Sequence, residues 1–212
     1  MRDLFIVGAG GFGREAVWTV ERINKAAQQP LWNVIGFADD DPARASGNFE
    51  GYPLLGSCEK ASRDYPGASV FIAVGDNAIR EKIYRRLRGH DFPALIDPTA
   101  QVSPTTEFRH GTYIAVEAVV SVGTEIGKFV IINARAGVGH DSRVGDFANI
   151  APGVSLSGHT TIEDDVFMGT NSCTAPGMTV GEGAIVACGT PVLKNVEPFT
   201  TLSPFGTLKG GC

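Results

Sequence analysis

Residues 118–150 read AVVSVGTEIGKFVIINARAGVGHDSRVGDFANI. A step of six from Val120 lands on Ile126, Ile132, Val138, Val144 and Ile150. Carried outward, the same step meets Ile96, Val102, Phe108 and Ile114 on one side. On the other it meets Leu156, Ile162, Met168, Thr174, Val180, Val186 and Val192. Sixteen of these seventeen residues are apolar and the register never slips. Four places after them, small residues recur at Ala100, Thr112, Ala118, Thr124, Ala136, Ser142, Ala148, Thr160 and Ser172, with Met178 the bulky exception. A period of six fits neither a 3.6-residue helix nor a strand that alternates along its whole length. It suits a solenoid whose short strands each send one large residue inward and then turn a corner on a small one. Sixteen hexads from 96 to 191, three to a turn, predict 18-residue coils and a little over five of them.

The rest of the chain is built differently. Its 212 residues, 43% hydrophobic and 19% charged, hold one large domain or two small ones. Residues 1–95 carry 12 Lys and Arg against 12 Asp and Glu, whereas residues 96–212 carry 6 against 11 and supply the whole net charge of −5. The second part also has 22 Val and Ile against 4 Leu, and 16 of the 27 glycines, a β-forming composition. Two domains follow, at 1–95 and 96–212. The acidic balance and the lack of a basic run argue against a nucleic-acid surface. No run approaches the roughly 18 apolar residues of a membrane span. The first residues, MRDLFIV, lack a signal-peptide layout. Cysteines 58, 173, 188 and 212 form no metal-ligand spacing, which points to free thiols and a cytoplasmic location.

The first half reads as a small α/β domain with a Rossmann-like start. Residues 4–7 (LFIV) are an apolar run suited to a buried strand. Residues 8–13 (GAGGFG) follow at once and fit G-x-G-x-x-G, and residues 14–23 carry Ala16, Val17, Val20 and Ile23 at helical spacing. A second strand at 32–37 ends in Asp39, Asp40 and Asp41. A third, at 69–74, closes on Gly75, Asp76 and Asn77. A basic helix at 79–87 then places Ile79, Ile83 and Leu87 on one stripe. Such a glycine turn lets backbone approach a phosphate, and the following helix offers N–H groups and the positive end of its dipole. Acids after the second strand suit the hydroxyl or base N–H donors of a nucleotide. About 95 residues leave room for only half of a full dinucleotide fold.

The hexad pattern resembles the left-handed parallel β-helix of hexapeptide-repeat acyltransferases, an exception to the right-handed crossover rule. That resemblance implies a homotrimer with active sites in the clefts between neighbours. A narrower resemblance rests on residues 8–15 (GAGGFGRE), 73–80 (AVGDNAIR), and GHD at 139–141 followed by VGDF at 144–147. These are similar to the bacterial nucleotide-sugar acetyltransferases, a family that includes UDP-4-amino-sugar and GDP-perosamine N-acetyltransferases and the so-called sialic acid O-acetyltransferases. Its members join a nucleotide-sugar-binding domain to a β-helix that binds acetyl-CoA. The likeness spans nearly the whole chain and is weakest at 40–65 and after 198. It implies that Gly10, Gly11 and Phe12 lie near a diphosphate, Asp39 or Asp40 near the base, and Gly75, Asn77 and Asn133 in the substrate cleft. It implies coenzyme A contacts from Asn149, Gly158, Gly169, Thr170 and Gly189, and no metal. Some members carry a histidine where this chain has Asn149, which hydrogen-bonds but is no base near neutral pH. The tail from Leu202 departs from the family's Gly-x-Pro-Ala ending.

Acetyl transfer needs a base for the nucleophile's proton, a donor for the oxyanion, and both reactants held together. The histidines are 90, 110, 140 and 159. His90 reads as a surface residue at the end of the basic helix; His110 and His159 read as structural or exposed corner residues. His140 stands apart. It lies two places after the inward Val138, so alternation points it away from the core, and Gly137 and Gly139 leave space around it. One coil of 18 further on is Gly158, a bare backbone that a thioester can approach and whose N–H can serve an oxyanion. In the family the acid equivalent to Asp141 orients the imidazole. The reading is an acetyl-CoA-dependent N-acetyltransferase acting on a nucleotide-linked, 4-amino sugar in glycan biosynthesis. O-acetylation, as of sialic acid, is the alternative, but a free sugar gives the glycine turn nothing to hold. A γ-carbonic-anhydrase-like zinc protein would need three histidines at other offsets than 110, 140 and 159. A non-catalytic nucleotide-sugar-binding trimer leaves His140 unexplained.

Overall fold

Four consecutive apolar residues, Leu4, Phe5, Ile6 and Val7, are buried because β1 (Arg2–Val7) is the central strand of a three-stranded parallel sheet. Its neighbours are β2 (Trp32–Ala38) and, on the other side, the strand Ser69–Ile72. A computed structural model describes residues 1–44, 48–49 and 51–209 of the chain, which divides into two compact units, Met1–Pro98 and Thr99–Cys212. Cys212 and the end of the tail lie outside the described residues.

In the first unit, α1 (Gly11–Ala26) begins directly on the glycine turn and buries Ala16, Val17 and Val20. Gly8, at φ 99°, has no room for a side chain, since a Cβ there would stand 2.7 Å from the Ala73 carbonyl. Two features escaped the sequence reading. One is a two-stranded antiparallel ribbon, β3 (Asn48–Phe49) and β4 (Tyr52–Pro53). The other is α2 (Cys58–Asp64), capped by the Ser57 hydroxyl, which accepts from the Lys60 N–H. Ser57 followed by Glu59 in the first turn is a helix-start signal that was there to be found. The third parallel strand of the sheet is β5 (Ser69–Ile72). α3 (Asn77–Arg86) starts two residues before its expected position, because the Asp76 carboxylate accepts from the Ile79 N–H and caps it. Ile79 is 48% exposed rather than part of the buried stripe, and Arg80 takes the inward place.

The second unit is a three-faced β-helix of parallel two-residue strands. The first face stacks Gln101–Val102, Val119–Val120, Gly137–Val138, Ser155–Leu156, Cys173–Thr174 and Pro191–Val192. The second stacks Glu107–Phe108, Glu125–Ile126, Arg143–Val144, Thr161–Ile162 and Thr179–Val180. The third includes Tyr113–Ile114, Ile131–Ile132, Asn149–Ile150, Phe167–Met168 and Ile185–Val186. Along each face paired residues are 18 apart, as with Val120, Val138 and Leu156, so the predicted coil length holds. Ile114, Ile132 and Ile150 are fully buried in the prism, and the corner residues Ala118, Thr124, Ala136, Ser142, Ala148 and Thr160 are buried beside them. Phe108 departs from the inward pattern: it lies in the first strand of its face, with a neighbour on one side only, and is 42% exposed.

Thr174, the one polar inward residue, is buried because its hydroxyl meets Thr160 Oγ1 at 3.0 Å and accepts from the Ser157 N–H. The period ends after Val192. Ile185 pairs with Thr201, 16 residues on, and the chain finishes in the antiparallel ribbon Thr200–Ser203 and Gly206–Lys209. Among the described residues, no helix is long and apolar enough to cross a membrane.

Candidate active site

The 18-residue coil stacks residues in columns at each corner. At the corner leaving the first face, one column holds Val122, His140 and Gly158, and the next holds Gly123, Asp141, His159 and Gly177. Val138 is buried, and the chain then turns so that His140 faces solvent with its side chain 54% exposed. Gly139 is required by the stacking itself, since a Cβ there would lie 2.6 Å from the Gly158 nitrogen.

Asp141 adopts a left-handed turn at φ 54°, which breaks strand alternation and lets its side chain meet that of its neighbour. His140 Nδ1 stands 2.8 Å from Asp141 Oδ2. A carboxylate only accepts, so Nδ1 carries the proton and Nε2 keeps its lone pair. That free nitrogen faces the bare backbone of Gly158, where a Cβ would lie 2.5 Å from Nε2. The other carboxylate oxygen is accommodated by Gly123, whose Cβ would come within 2.6 Å of it. A base with a fixed tautomer, open to solvent and flanked by an uncovered backbone, can take a proton from a nucleophile placed over the glycine.

His159 is an exposed corner residue, as its sequence context suggested, but it also adjoins the His140–Asp141 pair. Its ring stands edge-on to His140, centroids 5.0 Å apart, and its Nε2 is 3.9 Å from Asp141 Oδ2. The signal was available: the step of 18 that sets Gly158 over His140 also sets His159 over Asp141. His110 belongs to the next corner, packed edge-on against Phe129 at 5.3 Å.

The residues that the family resemblance assigned to coenzyme A fall into two groups. Gly158 shares the His140 corner. Gly169, Thr170 and Gly189 lie on the corner leaving the third face, as does Asn133, and Asn149 lies in a third-face strand with 8% exposure. Gly169 has a stacking reason to be glycine, because a Cβ would meet the Cys188 nitrogen at 2.7 Å; nothing lies within 4 Å of one built on Gly189. Asn133 turns its carbonyl oxygen to the Ala134 N–H. One whole face therefore separates His140 from Gly169, Thr170 and Gly189 within a single chain.

In the first unit the glycine motif divides by role. Gly8 and Gly13 are needed for close packing of strand, turn and helix, whereas a Cβ on Gly11 would meet nothing within 4 Å and one on Gly10 only the Arg44 guanidinium at 3.7 Å. The first turn of α1 has no acidic residue and no side-chain cap, so its positive end is open to an anion. Phe12 packs edge-on against Phe71. Asp39 accepts from the Ala9 and Asp41 N–H groups at 2.8 and 2.9 Å and thereby fixes the glycine turn. Arg44, which the sequence reading passed over, donates to the Ala9 carbonyl at 2.6 Å and lies 3.7 Å from Asp39.

Asp40 is engaged inside the unit. It accepts from the Cys58 N–H and pairs with Arg86, each at 2.8 Å. Burial pushes its carboxyl up, but these donors outweigh burial and hold it below the usual range. Burial, reinforced by the Asp40 charge, lifts the Cys58 thiol to about 12. Gly75 and Asn77 are organised by the buried Arg80, another residue given no role from sequence. Its guanidinium donates to the carbonyls of Val74 and Gly75 at 2.8 and 3.1 Å and to Asn77 Oδ1 at 3.0 Å. His90 is likewise no surface residue: it is half-buried, bonded to Ser62 Oγ and the Ala68 carbonyl, and edge-on to Phe5.

A prism of 18-residue coils that carries an acid-oriented imidazole beside a bare glycine has the features of a hexapeptide-repeat acyltransferase. Comparison with known proteins agrees. Residues 3–87 match the PglD N-terminal domain. The chain is 26% identical over 188 residues to a GDP-perosamine N-acetyltransferase from Escherichia coli, covering 88% of this chain and 78% of the relative. A histidine-to-asparagine variant of perosamine N-acetyltransferase from Caulobacter crescentus, solved with CoA and GDP-perosamine, superposes with a TM-score of 0.89 at 26% identity, over 100% of this chain and 98% of that one. The acetyltransferase domain of PglB from Neisseria gonorrhoeae, solved with acetyl coenzyme A, gives 0.86 at 28% identity over 99% of each chain. The chain is similar over its length to these acetyltransferases, and its second unit is the left-handed β-helix of the hexapeptide-repeat class.

Proposed function

We propose that the chain is an acetyl-CoA-dependent N-acetyltransferase that acts on the 4-amino group of a nucleotide-linked sugar, with His140 as general base, in cytoplasmic glycan biosynthesis. The observation that carries this reading is the His140–Asp141 contact at 2.8 Å with Nε2 directed at Gly158. The neutral amine attacks the thioester carbonyl and the C–N bond forms. The amine's proton passes to Nε2, and Asp141 stabilises the resulting imidazolium. The tetrahedral intermediate collapses as the C–S bond breaks, and the thiolate leaves to be protonated. Gly158 lets the thioester lie against the backbone.

The open turn at Gly10, Gly11 and Phe12, with Arg44 beside it, would hold the diphosphate of the nucleotide. Asp39, Gly75 and Asn77 border the remainder of that site. The GDP-perosamine and CoA bound in the Caulobacter structure support both substrate classes. Because His140 and the edge bearing Gly169, Thr170 and Gly189 are a face apart in one chain, a neighbouring copy supplies one of them, in the homotrimer implied by the resemblance. No step of this scheme calls for a metal.

The test is incubation with acetyl-CoA and a panel of UDP-, GDP- and dTDP-linked 4-amino sugars, read by mass spectrometry. The expected product is an amide with one added acetyl group. His140→Ala is expected to slow its formation at least about a hundredfold, the usual weight of a general base. Acetylation of hydroxyls alone, or near-normal turnover in that variant, would reject the reading.

A further inference from the structure

The geometry points to a second property of this corner: we propose that His140, Asp141 and His159 bind a zinc ion, and that zinc held there stops acetyl transfer. Inhibition of transfer presupposes the acetyltransferase activity proposed above; zinc binding does not.

Three donor atoms, one from each side chain, lie within 4.8 Å of one another. Asp141 Oδ2 is the hub, 2.8 Å from His140 Nδ1 and 3.9 Å from His159 Nε2. Zinc held at about 2.0–2.1 Å by nitrogen and carboxylate oxygen sets tetrahedral donors roughly 3.4 Å apart, so small side-chain rotations suffice. Two imidazoles and one carboxylate suit zinc far better than magnesium or calcium, which take all-oxygen sets.

The frame is already in place. The His159 N–H donates to the His140 carbonyl at 2.9 Å, and the Asp141 N–H donates to the Val122 carbonyl at 2.9 Å. The β-helix backbone therefore holds all three residues in stacked coils before any ion arrives. Within a single chain all three side chains are more than half exposed, which leaves a fourth position for water. The excess of 11 acids over 6 bases in residues 96–212 also favours a cation.

The consequence for His140 follows from its two nitrogens. Zinc needs the Nδ1 lone pair, so the proton now on Nδ1 moves to Nε2 as the Zn–N bond forms. Asp141 exchanges a hydrogen bond for a Zn–O bond, and water leaves the ion. The imidazole stays neutral, but its N–H now lies on the side that faces Gly158. A nitrogen that already carries a proton cannot take one from the amine.

The experiment titrates the metal-free full chain with zinc chloride by calorimetry, with cobalt(II) absorbance as a report on tetrahedral ligation. His159→Asn is the diagnostic variant, because asparagine tolerates the left-handed backbone at φ 58° and lacks the imidazole. The expected result is one zinc per chain in the wild type and at least about tenfold weaker binding in His159→Asn. Zinc should inhibit acetyl transfer by the wild type, EDTA should restore it, and the variant should need at least about ten times more zinc for the same inhibition. No zinc binding, or equal binding by both proteins, overturns the site. If zinc binds as expected but neither protein transfers acetyl groups, the proposed function fails and the zinc site stands.

Discussion

His140 and Asp141 are consecutive residues whose side chains meet, Nδ1 to Oδ2 at 2.8 Å, where an ordinary strand would have sent them to opposite faces. The left-handed turn at Asp141 makes the contact possible, and Gly123 below leaves room for the second carboxylate oxygen. The pair fixes which ring nitrogen is free.

Asp141→Asn tests that inference. Asparagine keeps the left-handed turn and still offers a carbonyl oxygen to Nδ1, but it cannot stabilise an imidazolium by charge. The expected outcome is a fall in kcat of roughly tenfold to a hundredfold, smaller than for His140→Ala, in steady-state acetyl transfer. Both side chains are more than half exposed, so the melting temperature should hold. An unchanged kcat would remove Asp141 from the mechanism.

Gly158→Ala addresses the neighbouring coil. The added methyl would stand 2.5 Å from His140 Nε2, and the exposed ring can swing away from it at little cost to folding. The base is then misplaced by about 1 Å or more, which costs on the order of a hundredfold in rate. The check is kcat/KM for acetyl transfer beside a thermal melt. Normal kinetics would show that the bare backbone at 158 is a matter of coil packing.

The β-helix was legible because its period is a covalent fact: a step of six fixes faces and a step of 18 fixes columns. Val138 inward, His140 outward and Gly158 above it all follow from counting. What was missed lay in what counting does not describe. His159 over Asp141 obeys the same step, but its importance depends on the backbone turn at Asp141 that brings neighbouring side chains together. Arg80 was invisible for another reason. A charged residue in a basic helix reads as solvent-facing, and acceptors in the preceding loop and first helical turn, among them the Val74 and Gly75 carbonyls and Asn77 Oδ1, make its burial tolerable. Residues 40–65 lack periodicity, so the helix after Ser57 was marked in sequence by its cap alone, and the Asp40–Arg86 pair emerged only in three dimensions. Ile79 failed because two helical faces competed and the one carrying Arg80 was turned inward.

Arg80→Met should show what that burial holds. The substitution keeps much of the apolar stem but removes the donors to Val74, Gly75 and Asn77. Charge-assisted bonds of this kind contribute about 1.5–3 kcal/mol each when cut singly, and a set acting together gives less than its sum. A loss near 3 kcal/mol in urea unfolding is expected, together with weaker binding of nucleotide-linked sugars as the loop at 74–77 loosens. Wild-type stability in this variant would mean that the loop holds its shape without the guanidinium.

Asp146 is expected to contribute to the response of the β-helix to acid. Burial pushes its carboxyl up, but hydrogen bonds and charge from Lys128 prevail and hold it below the usual carboxylate range. It accepts from the Lys128 N–H at 3.0 Å and pairs with Nζ at 2.8 Å, and its own N–H donates to Asp164 one coil on. The ionised form is thus favoured in the folded protein relative to the unfolded chain. Its stabilisation is fully present above the unfolded value and is lost as pH falls through the lower folded value. Asp146→Asn preserves an acceptor for the Lys128 N–H and removes the titration. Urea unfolding at pH 7 and again near pH 3 should show the wild type losing more stability than the variant on acidification. The variant should be the less stable of the two at pH 7, with the gap closing as the acid protonates Asp146. Parallel losses in both proteins would show that the acid limb arises elsewhere.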